Sequence, residues 1–309
     1  MKIDIVLATD ENFAKWCATT IISVLKNKSE DDEPVFHILG NDLSIKTKER
    51  LTSLGENINV IDVDKTDFLP YKEVAKFWTI TTLFRIKSAS ILKNLDKAIY
   101  LDCDIIVKGS LADFYNTNID DFLLAGREDF DSEISKKNLG MSKTATYINA
   151  GSILMNLKKW REENAEEKMF NYLKDNVDKL RFMDQDLINY VFQDQIKVVD
   201  KKFNYLVPNG FQTKEFKLKW QKDLQDAVVL HFVGWKPWEI YYENVFRDTF
   251  WTYWQMTPWH KENPDFYKNH IEKSRKFNSK HSLILNFIKR YPLFIFFKEK
   301  RALFATLFK

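Results

Sequence analysis

Glycine is scarce in this chain: eight occur in 309 residues, and no G-x-G-x-x-G or Walker-type run is among them. A phosphate cradle made of backbone N–H groups needs glycines where main chain and phosphate approach closely. Glycine-loop nucleotide binding is therefore excluded, and a phosphate would have to be met by side chains or a metal. Cysteine is scarcer, with only Cys17 and Cys103, so no disulfide framework is implied. Long apolar runs are missing too, and nothing approaches the length that spans a bilayer. The amino-terminal MKIDIVLATDEN breaks at Asp10 without a cleavable signal pattern, so the protein is expected to stay in the cytoplasm.

Aromatic and charged residues are plentiful. Twenty-five Phe, twelve Tyr and nine Trp supply a core for one large domain or two small ones. The net charge of +3 is unevenly spread: ten Lys and Arg but one Glu fall between Lys273 and Lys309, which leaves a mildly acidic body. Such asymmetry predicts a tail that meets an anionic surface. The closing LILNFIKRYPLFIFFKEKRALFATLFK interleaves Phe, Leu and Ile with Lys and Arg. That composition suits a membrane surface; no nucleic-acid recognition motif accompanies it.

Hydrophobic patterning predicts a strand over Ile3–Ala8, then a polar turn in which Asn12 caps a helix bearing Phe13, Trp16, Cys17, Ile21 and Val24. A strand at Val35–Leu39, a helix at Ser44–Leu54 and a strand at Asn59–Val63 continue a β-α-β-α-β order. Right-handed crossovers make this a mostly parallel sheet covered by helices. Ligands of such sheets bind at the carboxyl ends of strands. Further along, Tyr71–Trp78 is read as irregular, Thr79–Ala89 as a helix carrying Arg85, and Phe122–Gly126 as a strand leading to Asp129. A lone Arg on a helix reads first as solvated. Tyr147–Met155 reads as strand, bend, strand around Asn149, Ala150 and Gly151, and Leu157–Asp175 as one charged helix.

The stretch KAIYLDCDIIVK stands out. If the strand at Ala98–Leu101 continues, Asp102 and Asp104 point to one side and Cys103 to the other. Two carboxylates about 6.5 Å apart repel by roughly 2.5 kcal/mol at an effective dielectric near 20. A hard divalent cation removes that repulsion. The same spacing recurs at Asp62/Asp64, Asp129/Asp131 and Asp184/Asp186, but only Asp102/Asp104 has apolar flanks on both sides. Asp184, Gln185 and Asp186 open a helix, where the dipole favours acids; the three polar groups also suit a sugar. After a last strand at Ala227–Leu230, HFVGWKPW supplies a nitrogen ligand in His231, close approach at Gly234 and a phosphate partner in Lys236. Two carboxylates, an imidazole and a lysine describe a manganese or magnesium ion bound to a diphosphate, and departure of a nucleoside diphosphate as the reaction.

The stretches DIVLATDEN, ITTLFRI, YLDCDIIV, YINAGSILMNLKKW, DQDLIN and HFVGWKPW run from residue 4 to 238. In that order they resemble the family 8 glycosyltransferases, especially those of bacterial lipopolysaccharide and lipooligosaccharide synthesis, with glycogenin more distant. The resemblance implies a GT-A (Rossmann-like) fold and retaining transfer of galactose or glucose from a UDP-sugar to a glycan acceptor. It further implies a Mn2+ or Mg2+ ion on Asp102, Asp104 and His231. Ala8, Thr9, Asp10 and Asn12 would hold uracil and ribose, with Arg85, Asp102 and Cys103 against the donor and Gly234 and Lys236 on the diphosphate. Asp129, Asn149, Ala150, Asp184 and Gln185 would surround the donor sugar. Gln185 would lie near the reacting carbon, but an amide is a poor nucleophile, which favours front-face attack by the acceptor. Two departures appear: Trp235 alone separates Gly234 from Lys236, and Phe13 stands where a Tyr is common.

On this reading residues 1–256 form the catalytic domain and residues 257–309 a basic, aromatic helical segment that attaches to the inner face of the cell membrane. No nucleic-acid or obligate protein partner is expected. The alternative is a non-catalytic nucleotide-sugar-binding protein recruited to membranes, which predicts a broken metal or sugar site.

Overall fold

The apolar run Ile3, Ile5, Val6 and Leu7 is buried on both faces and so takes the centre of a sheet. A computed structural model describes residues 1–71, 80–129, 132–207, 224–240 and 246–277. The run lies in β1 (Lys2–Asp10), parallel to β2 (Glu33–Asn41) on one side and β4 (Ala98–Leu101) on the other. With β3 (Ile58–Asp62), β6 (Leu124–Glu128), β7 (Ile148–Met155) and β8 (Ile196–Val198), the order is β3-β2-β1-β4-β7-β6-β8. Within this sheet only β7 runs against the rest. The one polar residue in the β1 run, Asp4, is tolerated because His37 Nε2 on β2 lies 2.8 Å from its carboxylate. The mostly parallel, helix-flanked α/β sheet expected from the sequence is present.

A second, smaller sheet is what positions the site. Here β10 (Val229–His231) pairs antiparallel with β5 (Ile105–Val107) and parallel with β9 (Tyr205–Leu206). Asp102, Cys103 and Asp104 are therefore not a continuing strand, as the alternation argument assumed. They form the turn that carries the chain out of β4 in one sheet and into β5 in the other.

Other elements also differ from expectation. β7 is a single strand with all eight residues buried, without the bend read at Ala150 and Gly151. The long charged helix is two, Leu157–Glu162 and Ala165–Asn176, because Asn164 adopts a left-handed φ of 52° between them. Ile80–Lys87 is 3-10 helical and continues into one α-turn at Ser88–Ile91. The segment read as irregular at Tyr71–Trp78 lies, after Tyr71, outside the described residues.

Beyond residue 256, the helices Pro258–Glu262 and Asp265–Phe277 lie against the body. Trp251, on the helix Arg247–Trp254, meets Tyr267 at 5.2 Å and His270 at 4.8 Å between ring centres. Glu262 pairs with Lys46 and Arg50. Residues 278–309, which hold most of the basic tail, lie outside the described residues. No described helix is long and apolar enough to cross a membrane.

Candidate active site

The carboxyl ends of β1 and β4 open into a cleft of about 690 Å³. Ala8, Thr9 and Asp10 arrive from β1, Arg85 from the 3-10 segment, and Asp102, Cys103 and Asp104 from the turn between the sheets. Asp129, Asn149 and Ala150 come from β6 and β7, Asp184 and Gln185 from the helix Met183–Val191, and His231, Gly234 and Lys236 from the end of β10 onward. Asn12 is the exception, absent from the cleft wall. Nor does Asn12 cap the helix: Asp10 Oδ1 accepts from the backbone N–H groups of Asn12 and Phe13, each at 3.0 Å. Asp10 does the work assigned to Asn12 because it lies far enough upstream to reach both donors.

Asp102, Asp104 and His231 offer ligand atoms within 4.8 Å of one another. His231 Nε2 lies 3.7 Å from Asp102 Oδ2 and 3.3 Å from Asp104 Oδ1. Gly151 makes the approach sterically feasible, since a Cβ there would stand 2.1 Å from His231 Cε1 and 2.7 Å from Asp102 Oδ2. The repulsion argued from the sequence is already balanced, because Arg85 pairs with Asp102 at 2.7 Å and Lys236 with Asp104. Metal binding therefore rests on another feature. Asp104 Oδ1 is buried and accepts no hydrogen bond from a described residue, a costly state for a carboxylate oxygen. Burial opposes charge on Asp104, but the Lys236 ammonium and His231 outweigh it and hold the carboxyl below the usual range. An ionised, unfilled oxygen beside a second carboxylate and an imidazole fits a divalent cation.

Arg85 is buried, not solvated. Its Nη1 donates to Ala150 O at 2.7 Å, its Nε lies 3.0 Å from Asp184, and its guanidinium stacks 4.0 Å over the Tyr100 ring. Burial opposes the cation, yet Asp102 and Asp184 outweigh it and raise the pKa above the ordinary arginine value. Asp184 moves the other way from a normal ion pair: burial outweighs Arg85 and pushes its carboxyl up to about 6.

The wall facing the metal cluster is tightly specified. Gln185 Oε1 accepts from Ala150 N–H at 3.1 Å, and its Nε2 donates to Asp129 Oδ2 at 3.2 Å and to Tyr147 Oη at 3.4 Å. Asp186, by contrast, is turned inward, accepting from the backbone N–H groups of Arg181 and Phe182 and from Tyr147 Oη. The acidic triplet thus divides: Asp184 and Gln185 face the cleft, while Asp186 ties down the start of its helix. Gly234 has φ +75°, a conformation that favours glycine. Despite the short spacing, Lys236 turns its Nζ into the cleft, held by Asp104 and the Phe232 carbonyl. Phe13 meets Trp238 edge to face at 6.0 Å at the cleft mouth.

The family model described as glycosyl transferase family 8 matches residues 4–240. The chain belongs to glycosyltransferase family 8. A lipopolysaccharide 1,2-glucosyltransferase of Escherichia coli is 29% identical over 262 residues, covering 81% of this chain and 77% of the relative. A lipopolysaccharide 1,3-galactosyltransferase of Salmonella typhimurium is 29% identical over 252 residues, covering 77% and 73%. Among solved structures, the galactosyltransferase LgtC in complex with donor and acceptor sugar analogs is similar, with TM-score 0.72 and 27% identity over 83% of this chain and 96% of that one. The GT-A fold follows. The chain is a glycosyltransferase of that fold, with an Asp–Asp–His cluster able to hold a divalent ion in its cleft.

The sequence reading missed Asn204, Tyr147 and Trp238. Asn204 is fully buried and contacts His231, but nothing in KKFNYLV marks it. Only its place in the fold, one residue before β9 and beside β10, brings its Oδ1 to His231 Nδ1.

Proposed function

We propose that this family 8 glycosyltransferase transfers galactose or glucose from a UDP-sugar to a glycan acceptor, with retention of configuration and with manganese or magnesium on Asp102, Asp104 and His231. The observation that carries the reading is the buried, hydrogen-bond-free Oδ1 of Asp104 facing His231, in the same cleft as Gln185 and Asp184. A divalent ion there would bind the donor diphosphate and neutralise charge on it as UDP departs. Lys236, held within the same cleft by Asp104 and the Phe232 carbonyl, adds a positive charge for that leaving group. Ala8, Thr9 and Asp10 hold the nucleoside against the end of β1.

Gln185 acts by position. Its carbonyl oxygen is occupied by the Ala150 N–H and its amide nitrogen by Asp129 and Tyr147. An amide held in this way is suited to orient the sugar and poorly suited to attack it, which supports front-face attack by the acceptor hydroxyl. The acceptor is proposed to be a lipid-linked or cell-surface saccharide, in keeping with the lipopolysaccharide relatives. The basic tail would hold the enzyme at the inner membrane face.

The test is UDP release with manganese and, separately, UDP-galactose or UDP-glucose. Release from one donor, abolished by a chelator, is expected. Asp104→Asn is expected to cut the rate by about 10²-fold or more while the fold is kept. Turnover equal to wild type in that variant removes the metal assignment.

A further inference from the structure

His231 can face the carboxylates in two ways, with a proton on Nε2 or with a lone pair there. Only the lone pair can ligate a metal. Which form is present is decided by a hydrogen-bond chain that begins at a backbone amide, whose donor sense cannot be reversed. Gly151 N–H donates to Asn149 Oδ1 at 3.1 Å, which turns the Asn149 Nδ2 toward Asp129 Oδ2 at 3.2 Å. Asn149 then presents two acceptors to Asn204, whose Nδ2 donates to Asn149 Oδ1 at 2.9 Å and to Asn149 O at 3.3 Å. With its amino group so engaged, Asn204 turns Oδ1 toward His231 Nδ1 at 3.0 Å. A carbonyl oxygen can only accept, so Nδ1 keeps a proton and Nε2, facing Asp102 and Asp104, is the nitrogen left to give up its proton to solvent and ligate a metal.

Asn204 is built into this position. It is fully buried, one residue before β9. The preceding carbonyl, Phe203 O, accepts from Ser152 Oγ on β7 at 2.7 Å, and Val207 N–H just beyond donates to His231 O at 2.8 Å. These anchors fix the side chain between β7 and β10.

On the metal reading above, we propose that Asn204 is a positioning residue with two functions: it sets the ring tautomer in which His231 presents Nε2 to a divalent ion, and it joins that ligand to Asn149 on the sugar-facing wall. The same amide serves both, through Oδ1 toward His231 and Nδ2 toward Asn149. Metal binding and donor binding are thereby coupled by one side chain that touches neither.

Substitution separates the two functions. Asn204→Ala removes both contacts. Asn204→Asp keeps an acceptor for His231 Nδ1–H but sets a carboxylate against the Asn149 oxygens. The full chain, labelled with 15N-histidine and metal-free, reports the tautomer by NMR, with the His231 signals assigned by His231→Asn. Manganese affinity is measured directly by electron paramagnetic resonance, and donor KM and kcat by UDP release. Wild type is expected to carry the proton on Nδ1. Asn204→Ala should lose that preference and bind manganese about 10- to 100-fold more weakly. Asn204→Asp should restore the tautomer and bind manganese within about threefold of wild type, while its donor KM rises about tenfold. The conservative rescue matters if Asn204→Ala fails to fold, because a merely structural role would not divide metal affinity from KM.

A neutral ring whose single proton sits on Nε2 in the metal-free wild type overturns the proposal. So does an Asn204→Ala chain with unchanged manganese affinity, or an Asn204→Asp chain that loses affinity as Asn204→Ala does. Failure of the wild type to bind manganese at all would overturn the metal reading, a result distinguishable from the others because the tautomer is read without metal.

Discussion

Asp184 and Asp186 are two residues apart on one helical turn, yet their surroundings give them opposite roles. Asp186 accepts two backbone N–H groups and a tyrosine hydroxyl, which is how a buried carboxylate is stabilised. Asp184 has Arg85 at 3.0 Å, but that guanidinium is shared with Asp102, and burial pushes the Asp184 carboxyl up to about 6. A folded-state value above the unfolded one means that the native chain holds the extra proton between about pH 4 and 6. The associated stability is fully present below pH 4 and is lost as pH rises through 6. Two pKa units correspond to about 3 kcal/mol. The Asp184 side chain retains 13% of its surface in solvent, so about 2 kcal/mol is the expected size. In Asp184→Asn this slope should vanish: without metal or nucleotide, the variant should gain about 2 kcal/mol relative to wild type between pH 4.5 and 7 in urea unfolding. A constant difference across that range would show that Asp184 titrates normally.

At the scale of elements, the site exists because two sheets meet, and β7 is the strand on which they meet. Its Gly151 carbonyl accepts from Asp102 N–H at 2.8 Å, and its Cα faces the His231 ring. Since β7 is paired on both sides, with β4 and with β6, its backbone cannot retreat. An added methyl at Gly151 must displace His231 or Asp102. Gly151→Ala is therefore expected to cost about 1–3 kcal/mol of stability and to weaken manganese binding in calorimetry. Gly126→Ala, on β6, would press on Ile148 Cδ1 at 3.0 Å, the end of a flexible side chain away from the cluster, and should leave manganese affinity unchanged. Equal effects of the two would mean that Gly151 serves packing alone. The sequence showed this region in part. The apolar flanks marked Asp102 and Asp104, and the small residues at Ala150 and Gly151 signalled close approach. What it lacked was the partner: a three-residue β5 and a two-residue β9 carry too little periodicity to reveal a second sheet. Without that sheet nothing in the sequence marks Asn204, and alternation alone reads the turn at Asp102–Asp104 as strand. Arg85 reads as solvated for a related reason: its burial depends on Tyr100, Ala150 and Asp184 from three separate elements.

For the whole molecule, the question is where the catalytic body stops. Composition placed a boundary after residue 256, since the motifs stop near residue 240 and basic charge accumulates toward the carboxyl end. Packing gives residues 258–277 a share in the body's stability. Trp251 and Trp254 are each 1% exposed, and the rings around them include His260, Phe266, Tyr267 and His270. Removal of everything after Met256 would uncover both indoles and also free Glu262 from Arg50 and Lys46. These surface ion pairs are screened by solvent and contribute little, so the indoles dominate. Partial exposure of two such rings costs about 2–3 kcal/mol, a fall of roughly 3–5 °C in Tm for a chain of this size. Removal of everything after Phe277 spares these contacts and takes away seven of the ten basic residues counted from Lys273, leaving Lys273, Arg275 and Lys276. That shorter deletion should abolish binding to vesicles rich in anionic lipid at low salt, each lost basic group removing about 1 kcal/mol of attraction, while UDP release in solution continues. Thermal melts and vesicle sedimentation of the two truncated chains separate the roles. If the chain ending at Met256 melts with the full-length protein, the helices from Pro258 to Phe277 are accessory; if the chain ending at Phe277 still sediments with anionic vesicles, attachment lies elsewhere on the body.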